Sequence, residues 1–219
     1  MRNAFGLDLP QDLVEICAPE RCALIVYDMQ NGIVSQIGDG KRIVAACNEL
    51  LEIARKVGMR VFFTRHLFLP TRSSGAGQLR RAMIWQRKDN PSELSPMIAQ
   101  SSEGWQIVPE LAPGDDEVIV DKITMSAFEG TFLNLAMRDA HLDSFVIAGI
   151  ALEVGIEPTV RHGVDLNFIP VIVADACGSK TPEAYERSLL TLKETGEVVA
   201  CSTEEVAACF TQGGKGKTE

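Results

Sequence analysis

The chain has 219 residues, of which 46% are hydrophobic and 23% are charged, and this composition is typical of one globular domain with a sizeable core. The net charge of −9 disfavours a nucleic-acid partner, because phosphate binding needs a basic patch. No segment reaches the roughly 20 apolar residues that a membrane helix needs, so no membrane partner is expected either.

Short apolar runs alternate with amphipathic runs along the chain. The first strand is predicted over residues 22–28, and a helix over residues 41–57, where apolar residues recur at three- and four-residue spacing. The remaining predicted strands cover residues 59–64, 117–121, 144–149, 169–174 and 197–201, and the remaining helices cover 130–140, 156–166, 182–195 and 203–210. Nearly continuous apolar strands that alternate with helices predict an α/β fold with a parallel sheet covered on both faces.

The pattern predicts a single domain over residues 1–210 and a disordered, polar tail over residues 211–219. One long connection, over residues 66–114, interrupts the alternation. Its segment 78–87 has helical composition and is expected to cover the strand ends, since long connections in compact domains are often lids.

The six cysteines are scattered, with no CxxC pair and no zinc-finger spacing. The N-terminal 19 residues contain no long apolar run, so no signal peptide is expected. Free cysteines without a leader predict a reducing, cytoplasmic location.

Two charged residues and a glycine lie at or just after predicted strand ends. Asp28 ends the first strand, Lys122 ends the strand over 117–121, and Gly155 follows the strand over 144–149. Ligands of parallel α/β sheets bind beyond the carboxyl ends of the strands. We therefore expect these three residues to lie close together in a site.

At these residues the chain resembles the isochorismatase-like hydrolase superfamily. The segments that carry the resemblance are Tyr27-Asp28-Met29-Gln30, Lys122 followed by Ser126-Ala127-Phe128-Glu129-Gly130-Thr131, Gly149-Ile150-Ala151 leading to Glu157-Pro158-Thr159, and Val173-Ala174-Asp175-Ala176. The resemblance implies a hydrolase of a small molecule with a Rossmann-like, three-layer α/β/α sandwich around a six-stranded parallel sheet. It also implies a homodimer or homotetramer, and it implies no cofactor.

The resemblance implies roles for the three strand-end residues. Amidase members use an Asp–Lys–Cys triad, in which Asp28 and Lys122 match the first two residues, while Gly155 occupies the cysteine position. The family also has a non-proline cis peptide just before that position, which corresponds to Ile150-Ala151. If the turn at position 155 keeps the geometry of a nucleophile, Gly155→Cys is expected to complete the triad and to give a highly reactive cysteine.

The missing cysteine leaves the reaction open. Isochorismatases proper cleave a vinyl ether without a nucleophile and carry glycine at that position, whereas amidase members attack a carbonyl with the thiolate. The segment 128–131 resembles the amidase branch more closely. Three functions therefore remain: vinyl-ether hydrolysis with Asp28 as acid or base, amide or ureide hydrolysis by activated water, and binding by an inactive paralogue.

Several further residues are candidates for substrate contacts. The predicted set is Gln30, His66, Trp85, Arg87, Phe128, Ile150, Ala151 and Glu153. Arginines near Trp85 could clamp a carboxylate or form a solvated helix face. Glu153 could be a surface acid or a substitute base, and Cys177 a structural residue or a displaced nucleophile. His66 lacks the partners of a metal site, so no catalytic metal is expected.

Overall fold

The computed structural model describes residues 1–213 of the chain. A short antiparallel hairpin of β1 (Arg2–Ala4) and β2 (Leu7–Leu9) precedes the central sheet. The six strands of that sheet are β3 (Cys22–Tyr27), β4 (Arg60–His66), β5 (Val118–Lys122), β6 (Ser144–Ile150), β7 (Ile169–Gly178) and β8 (Val199–Cys201). All neighbouring pairs in this sheet are parallel.

The helices connect these strands. They are α1 (Leu13–Ile16), α2 (Asn31–Val34), α3 (Gly40–Lys56), α4 (Ala76–Gln86), α5 (Leu133–Asp139), α6 (Glu157–Asp165), α7 (Pro182–Glu194) and α8 (Thr203–Gly213). A π-helical turn, Leu152–Ile156, leads from β6 into α6.

Two hydrophobic cores lie on opposite faces of the sheet, because successive strand residues point to opposite sides. Leu24 and Val26 of β3 pack with residues of α3 and α8 in one core. Ile25 and Tyr27 pack with residues of α5, α6 and α7 in the other. The fold is therefore the predicted three-layer α/β/α sandwich with a six-stranded parallel sheet.

In the strand order β5-β4-β3-β6-β7-β8, the chain adds strands first on one side of β3 and then on the other. The winding direction therefore reverses between β3 and β6. In doubly wound sheets such a reversal leaves a crevice at the carboxyl ends of the two central strands, where ligands bind. Asp28 follows β3, and the turn containing Gly155 follows β6. The topology thus brings both residues to this crevice.

Most element boundaries agree with the predictions to within a few residues, but several short elements and the end of the chain differ. The hairpin, α1 and α2 were not predicted, because elements of three or four residues carry no detectable periodicity. The prediction that a disordered tail begins at residue 211 is wrong at its start, since α8 continues to Gly213. Residues 214–219 of that predicted tail lie outside the described residues.

Candidate active site

A cavity of about 250 Å³ opens at the carboxyl ends of β3 and β6. Its walls come from six parts of the chain: the end of β3, α2 and its following loop, the long connection, the loop after β5, the turn after β6, and the loop after β7. The lining residues are Tyr27, Asp28, Ile33, Gln36, Ile37, His66, Phe68, Trp85, Met97, Ile98, Met125, Ile150, Ala151, Glu153, Val154, Gly155 and Lys180. Apolar side chains form most of this wall, which is usual for a small-molecule site.

Asp28 lies at the buried end of the cavity, with 5% of its surface exposed. Its backbone has a positive φ of 47°, a left-handed conformation that side chains other than glycine rarely adopt. The Asp28 N–H donates to the hydroxyl of Thr64 at 3.0 Å, and that hydroxyl donates back to Oδ1 of Asp28 at 2.5 Å. The neighbouring strand β4 thus fixes the orientation of the carboxylate.

Lys122 is the ion-pair partner of Asp28. Its Nζ donates to Oδ2 of Asp28 at 2.7 Å and lies 4.4 Å from the centre of the Tyr27 ring. Burial lowers the pKa of the Lys122 ammonium, whereas the charge of Asp28 opposes that shift. A buried pair of this kind is costly to desolvate, and such pairs are typical of functional sites.

His66 ends β4 in register with Lys122 of β5 and lines the cavity. The imidazole packs edge-to-face against Phe68, with ring centres 5.0 Å apart. Burial, together with the positive charge of Lys122, lowers the His66 pKa to about 4. The ring is therefore neutral near pH 7 and can donate or accept one hydrogen bond toward a ligand.

The turn after β6 has the expected cis peptide between Ile150 and Ala151. The N–H groups of Val154, Gly155 and Ile156 all donate to the carbonyl oxygen of Ala151, at 3.3, 3.0 and 3.2 Å. Free amides at the start of a helix can bind an anion. These three amides are instead satisfied within the turn.

Tyr27 occupies the space that a side chain at position 155 would need. A Cβ atom added to Gly155 would lie 2.2 Å from the Tyr27 hydroxyl oxygen and 2.5 Å from two ring carbons. The condition for rebuilding a reactive triad by Gly155→Cys is therefore not met while Tyr27 is present, because the new side chain would overlap a buried ring. The space available to a side chain at position 155 therefore depends on the residue at position 27.

Comparisons with known proteins show the family of this chain. A family model described as the isochorismatase domain matches residues 22–204. The chain belongs to the isochorismatase family. The match covers the whole central sheet and identifies the chain as an isochorismatase-family hydrolase.

Curated relatives of this family member include ureidoacrylate amidohydrolase RutB of Pseudomonas syringae pv. syringae, which is 27% identical over 96% of both chains. The isochorismatase family protein YwoC of Bacillus subtilis, whose function is uncharacterized, is 28% identical over 78% of this chain and 84% of its own.

Solved structures share the fold. A cysteine hydrolase from Pseudomonas syringae pv. phaseolicola superposes with a TM-score of 0.78 at 24% identity, covering 89% of this chain and 94% of the other. N-carbamoylsarcosine amidase from Thermoplasma acidophilum has a TM-score of 0.68 at 18% identity, covering 84% of this chain and 97% of the other.

Five of the predicted substrate contacts of this isochorismatase-family chain line the cavity: His66, Trp85, Ile150, Ala151 and Glu153. The carboxylate of Glu153 accepts hydrogen bonds from the Ser179 hydroxyl at 2.7 Å and from the Lys180 N–H at 3.1 Å. These bonds tie the turn after β6 to the loop after β7. Glu153 therefore contributes to the shape of the cavity wall.

Three predicted contacts do not line the cavity. The Gln30 side chain is fully buried and bonds to the backbone of His66 and Trp105, so it braces the end of β4. Phe128 stacks on Phe168 in the core with α5 and α6. Arg87 is the exposed residue that ends α4 in a left-handed conformation. None of these three side chains faces the ligand space.

None of the six cysteines, all within the described residues, lines the cavity. Cys177 is buried in the core with α6 and α7, and burial raises the pKa of its thiol. Its structural role is thus the better interpretation. Across residues 1–213 no group of three or more His, Cys, Asp or Glu side chains could hold a metal ion, and no helix is long and apolar enough to span a membrane.

Sequence reasoning missed two residues that shape the site. Tyr27 reads as an ordinary core residue of a buried strand, and Thr64 reads the same way in β4. Tyr27 is the last residue of β3 and Thr64 lies two residues before the end of β4, so the only available signal was a hydroxyl group in a buried part of a strand. A buried hydroxyl needs a hydrogen-bond partner, and the polar residues that could provide one lie near the strand ends.

Proposed function

We propose that this protein hydrolyses the C–N bond of an amide or ureide in a small polar or carboxylate-bearing metabolite, with water as the nucleophile. The observation that carries the proposal is the Asp28 carboxylate, which is buried, paired with Lys122 and part of a cavity that Gly155 also lines. The family resemblance assigns the cysteine of amidase members to position 155, so water takes the place of a thiol in this proposal. Similarity to ureidoacrylate amidohydrolases along 96% of the chain supports C–N hydrolysis as the reaction class.

In this mechanism Asp28 is the general base. The carboxylate accepts a proton from water while the water oxygen bonds to the carbonyl carbon of the substrate. Asp28 then returns that proton to the nitrogen, and the C–N bond breaks to release ammonia or an amine. Thr64 and Lys122 hold the carboxylate throughout, and the Lys122 ammonium stabilises negative charge that develops nearby.

The cavity wall offers several polar groups to the rest of the substrate, among them His66 and Lys180. The neutral imidazole of His66 lies near the buried end, and Lys180, which is exposed, lies at the opening. A lysine at the opening suits a substrate carboxylate, and the apolar wall suits the carbon skeleton between carboxylate and amide. This arrangement supports a substrate with a charged end and a reactive amide end.

A second candidate reaction is hydrolysis of a vinyl ether, as in isochorismate. The glycine at position 155 favours this reaction, because it needs a proton donor and no nucleophile. Asp28 would then have to be protonated at the start, whereas amide hydrolysis needs it ionised. Rate should therefore rise with falling pH for vinyl-ether cleavage and fall with falling pH for amide cleavage.

The products separate the two reactions. We expect ammonia release when the purified protein is incubated with ureidoacrylate and a set of N-carbamoyl amino acids, and no pyruvate release from isochorismate. Pyruvate without ammonia would contradict the proposal and support vinyl-ether cleavage. Binding of these compounds without either product would support the inactive paralogue.

The role of Asp28 gives the first mutational prediction. Asp28→Asn should lower kcat by roughly 10²–10⁴-fold, the usual effect of losing a positioned base. Asp121→Asn is the matched control, because Asp121 lies on the same strand as Lys122 but pairs with Arg65 at the surface. We expect that control to keep its activity.

Folding must be checked, since Asp28→Asn leaves the Lys122 ammonium buried without its partner, a change that typically costs about 3–5 kcal/mol. The double variant Asp28→Asn/Lys122→Met removes both charges and should fold but remain inactive. Near-normal turnover by either folded variant would rule out Asp28 as the base.

Two wider expectations belong to the same proposal. We infer that the enzyme acts in the cytoplasm, because its six cysteines are all unpaired, and that it forms a homodimer or homotetramer. Light scattering coupled to size-exclusion chromatography measures the second point directly.

A further inference from the structure

The buried end of the cavity contains a second polar side chain, which has no role in the mechanism above. Tyr27, with 1% of its surface exposed, precedes Asp28 in the chain and lines the same cavity. Its ring fills the volume next to Gly155 so completely that a Cβ there would lie 2.2 Å from the phenol oxygen. The phenol thus stands where the side chain of residue 155 would stand.

The phenol is held in place on two sides. Its hydroxyl donates a hydrogen bond to the carbonyl oxygen of Met125, and the Lys122 ammonium lies 4.4 Å from the ring centre. A cation at that distance is attracted to the face of an aromatic ring. The same ammonium therefore contacts both Asp28 and Tyr27, which fixes the two side chains relative to each other.

The phenol is not a nucleophile at neutral pH. Burial, and after it the negative charge of Asp28, raise the pKa of Tyr27 well above its usual value. A protonated phenol whose single proton is given to Met125 still has lone pairs on its oxygen that can accept a hydrogen bond. The group is therefore suited to hold a water molecule that another residue deprotonates.

We propose that Tyr27 is a catalytic residue of this site, whose hydroxyl oxygen replaces the side chain of residue 155 and holds the hydrolytic water next to Asp28. One proton of that water points to the phenol oxygen and the other to the Asp28 carboxylate. Asp28 removes its proton as the water oxygen attacks, and the phenol keeps its own proton throughout. The catalytic role of Tyr27 rests on the proposed function, whereas the position of its hydroxyl group does not.

The kinetic test removes only the hydroxyl. Tyr27→Phe should lower kcat at least tenfold and change KM less than threefold, because the water and not the substrate is misplaced. The chain's other tyrosine, Tyr185, supplies the matched control, since its hydroxyl also donates to a backbone carbonyl, that of Ala174, outside the cavity. Tyr185→Phe should leave kcat within twofold of wild type. A folded Tyr27→Phe enzyme with wild-type kcat would overturn the proposal.

Two further measurements need no substrate. A crystal structure at about 1.5 Å should show a water within about 3 Å of both the Tyr27 oxygen and the Asp28 carboxylate, and Tyr27→Phe should lose it. A wild-type crystal without that water would also overturn the proposal. If wild type hydrolyses none of the test compounds, the proposed function fails, yet this measurement still decides the role of Tyr27.

Thiol labelling tests whether the Tyr27 ring occupies the space of a side chain at position 155. With Tyr27 present, the thiol of Gly155→Cys should be poorly accommodated and react slowly with iodoacetamide. In Tyr27→Val/Gly155→Cys it should react at least tenfold faster, because the ring is gone and Lys122 lies nearby. Equal labelling rates in the two variants would show that Tyr27 does not occupy the space of residue 155.

Discussion

Asp28 is the residue in which backbone and chemistry are most closely joined. Its left-handed conformation, with φ of 47°, costs roughly 1–3 kcal/mol and is stable only where the surroundings enforce it. Here Thr64 enforces it by bonding to both the N–H and the carboxylate of the same residue. The strain turns the carboxylate from the strand direction toward the cavity.

His66 makes the stability of the protein depend on pH. The pKa of His66 is about 4 in the folded state, against 6.5 for an ordinary histidine, so the unfolded chain binds an extra proton between these values. The contribution to stability is therefore complete above about pH 6.5 and is lost as the pH falls to 4. Between pH 7 and 4.5 the loss should be about 2 kcal/mol.

Urea unfolding at the two pH values measures this loss. We expect His66→Gln to flatten the pH dependence by about that amount. His141→Asn is the control, because His141 is exposed and has a positive φ that asparagine tolerates. The interpretation fails if both variants keep the slope of the wild type.

The strand-end residues could be predicted and their neighbours could not. Asp28 and Lys122 are charged residues that end apolar runs, so the pattern itself marks them. Tyr27 touches Gly155, which is 128 positions away in the chain, and no local pattern reports such a contact. Arg87 and Phe128 were assigned to the site from composition and motif, but side-chain direction places one in solvent and one in the core.

At the scale of elements, the long connection between β4 and β5 supplies the outer wall of the cavity. Its helix α4 was predicted, and it presents Trp85, which packs edge-to-face on Phe68 with ring centres 6.1 Å apart. The Phe68 ring also packs against His66, and Arg81 lies over the Trp85 ring. We therefore predict that the connection contributes substrate contacts, while the residues at the strand ends carry out the reaction.

Trp85→Ala should raise KM several-fold and leave kcat nearly unchanged, because it removes apolar contact from a wall distant from the reacting atoms. Ile84→Ala is the matched control, since Ile84 is the preceding residue of α4, is highly exposed and does not line the cavity. Steady-state kinetics with the accepted substrate provides the comparison. A drop in kcat with unchanged KM would place Trp85 in the chemical step instead.

At the scale of the whole molecule, the strands were predictable but their order was not. Apolar runs reveal six strands, because strands of a parallel sheet covered by helices on both faces are nearly continuously apolar. The order β5-β4-β3-β6-β7-β8 depends on which face each connecting helix packs against, and similar amphipathic patterns fit either face. The convergence of Asp28 with the turn at Gly155 follows from that order.

The distribution of cysteines across both cores leads to a prediction for the intact protein. All six thiols are buried, and none lines the cavity. Native protein should react slowly with Ellman's reagent and keep its turnover after iodoacetamide treatment, whereas protein in guanidinium chloride should show six reactive thiols. Rapid stoichiometric inactivation of the native enzyme would mean that a thiol takes part in the reaction after all.

The contact between Tyr27 and Gly155 also restricts how this enzyme can change over evolutionary time. A side chain gained at position 155 alone would overlap the phenol, and overpacking of a core typically costs about 1–3 kcal/mol. A small residue gained at position 27 alone would leave a cavity, but the fold could tolerate it if stability is in reserve. A lineage that gains a thiol at position 155 must therefore also change position 27, so substitutions at these two positions depend on each other.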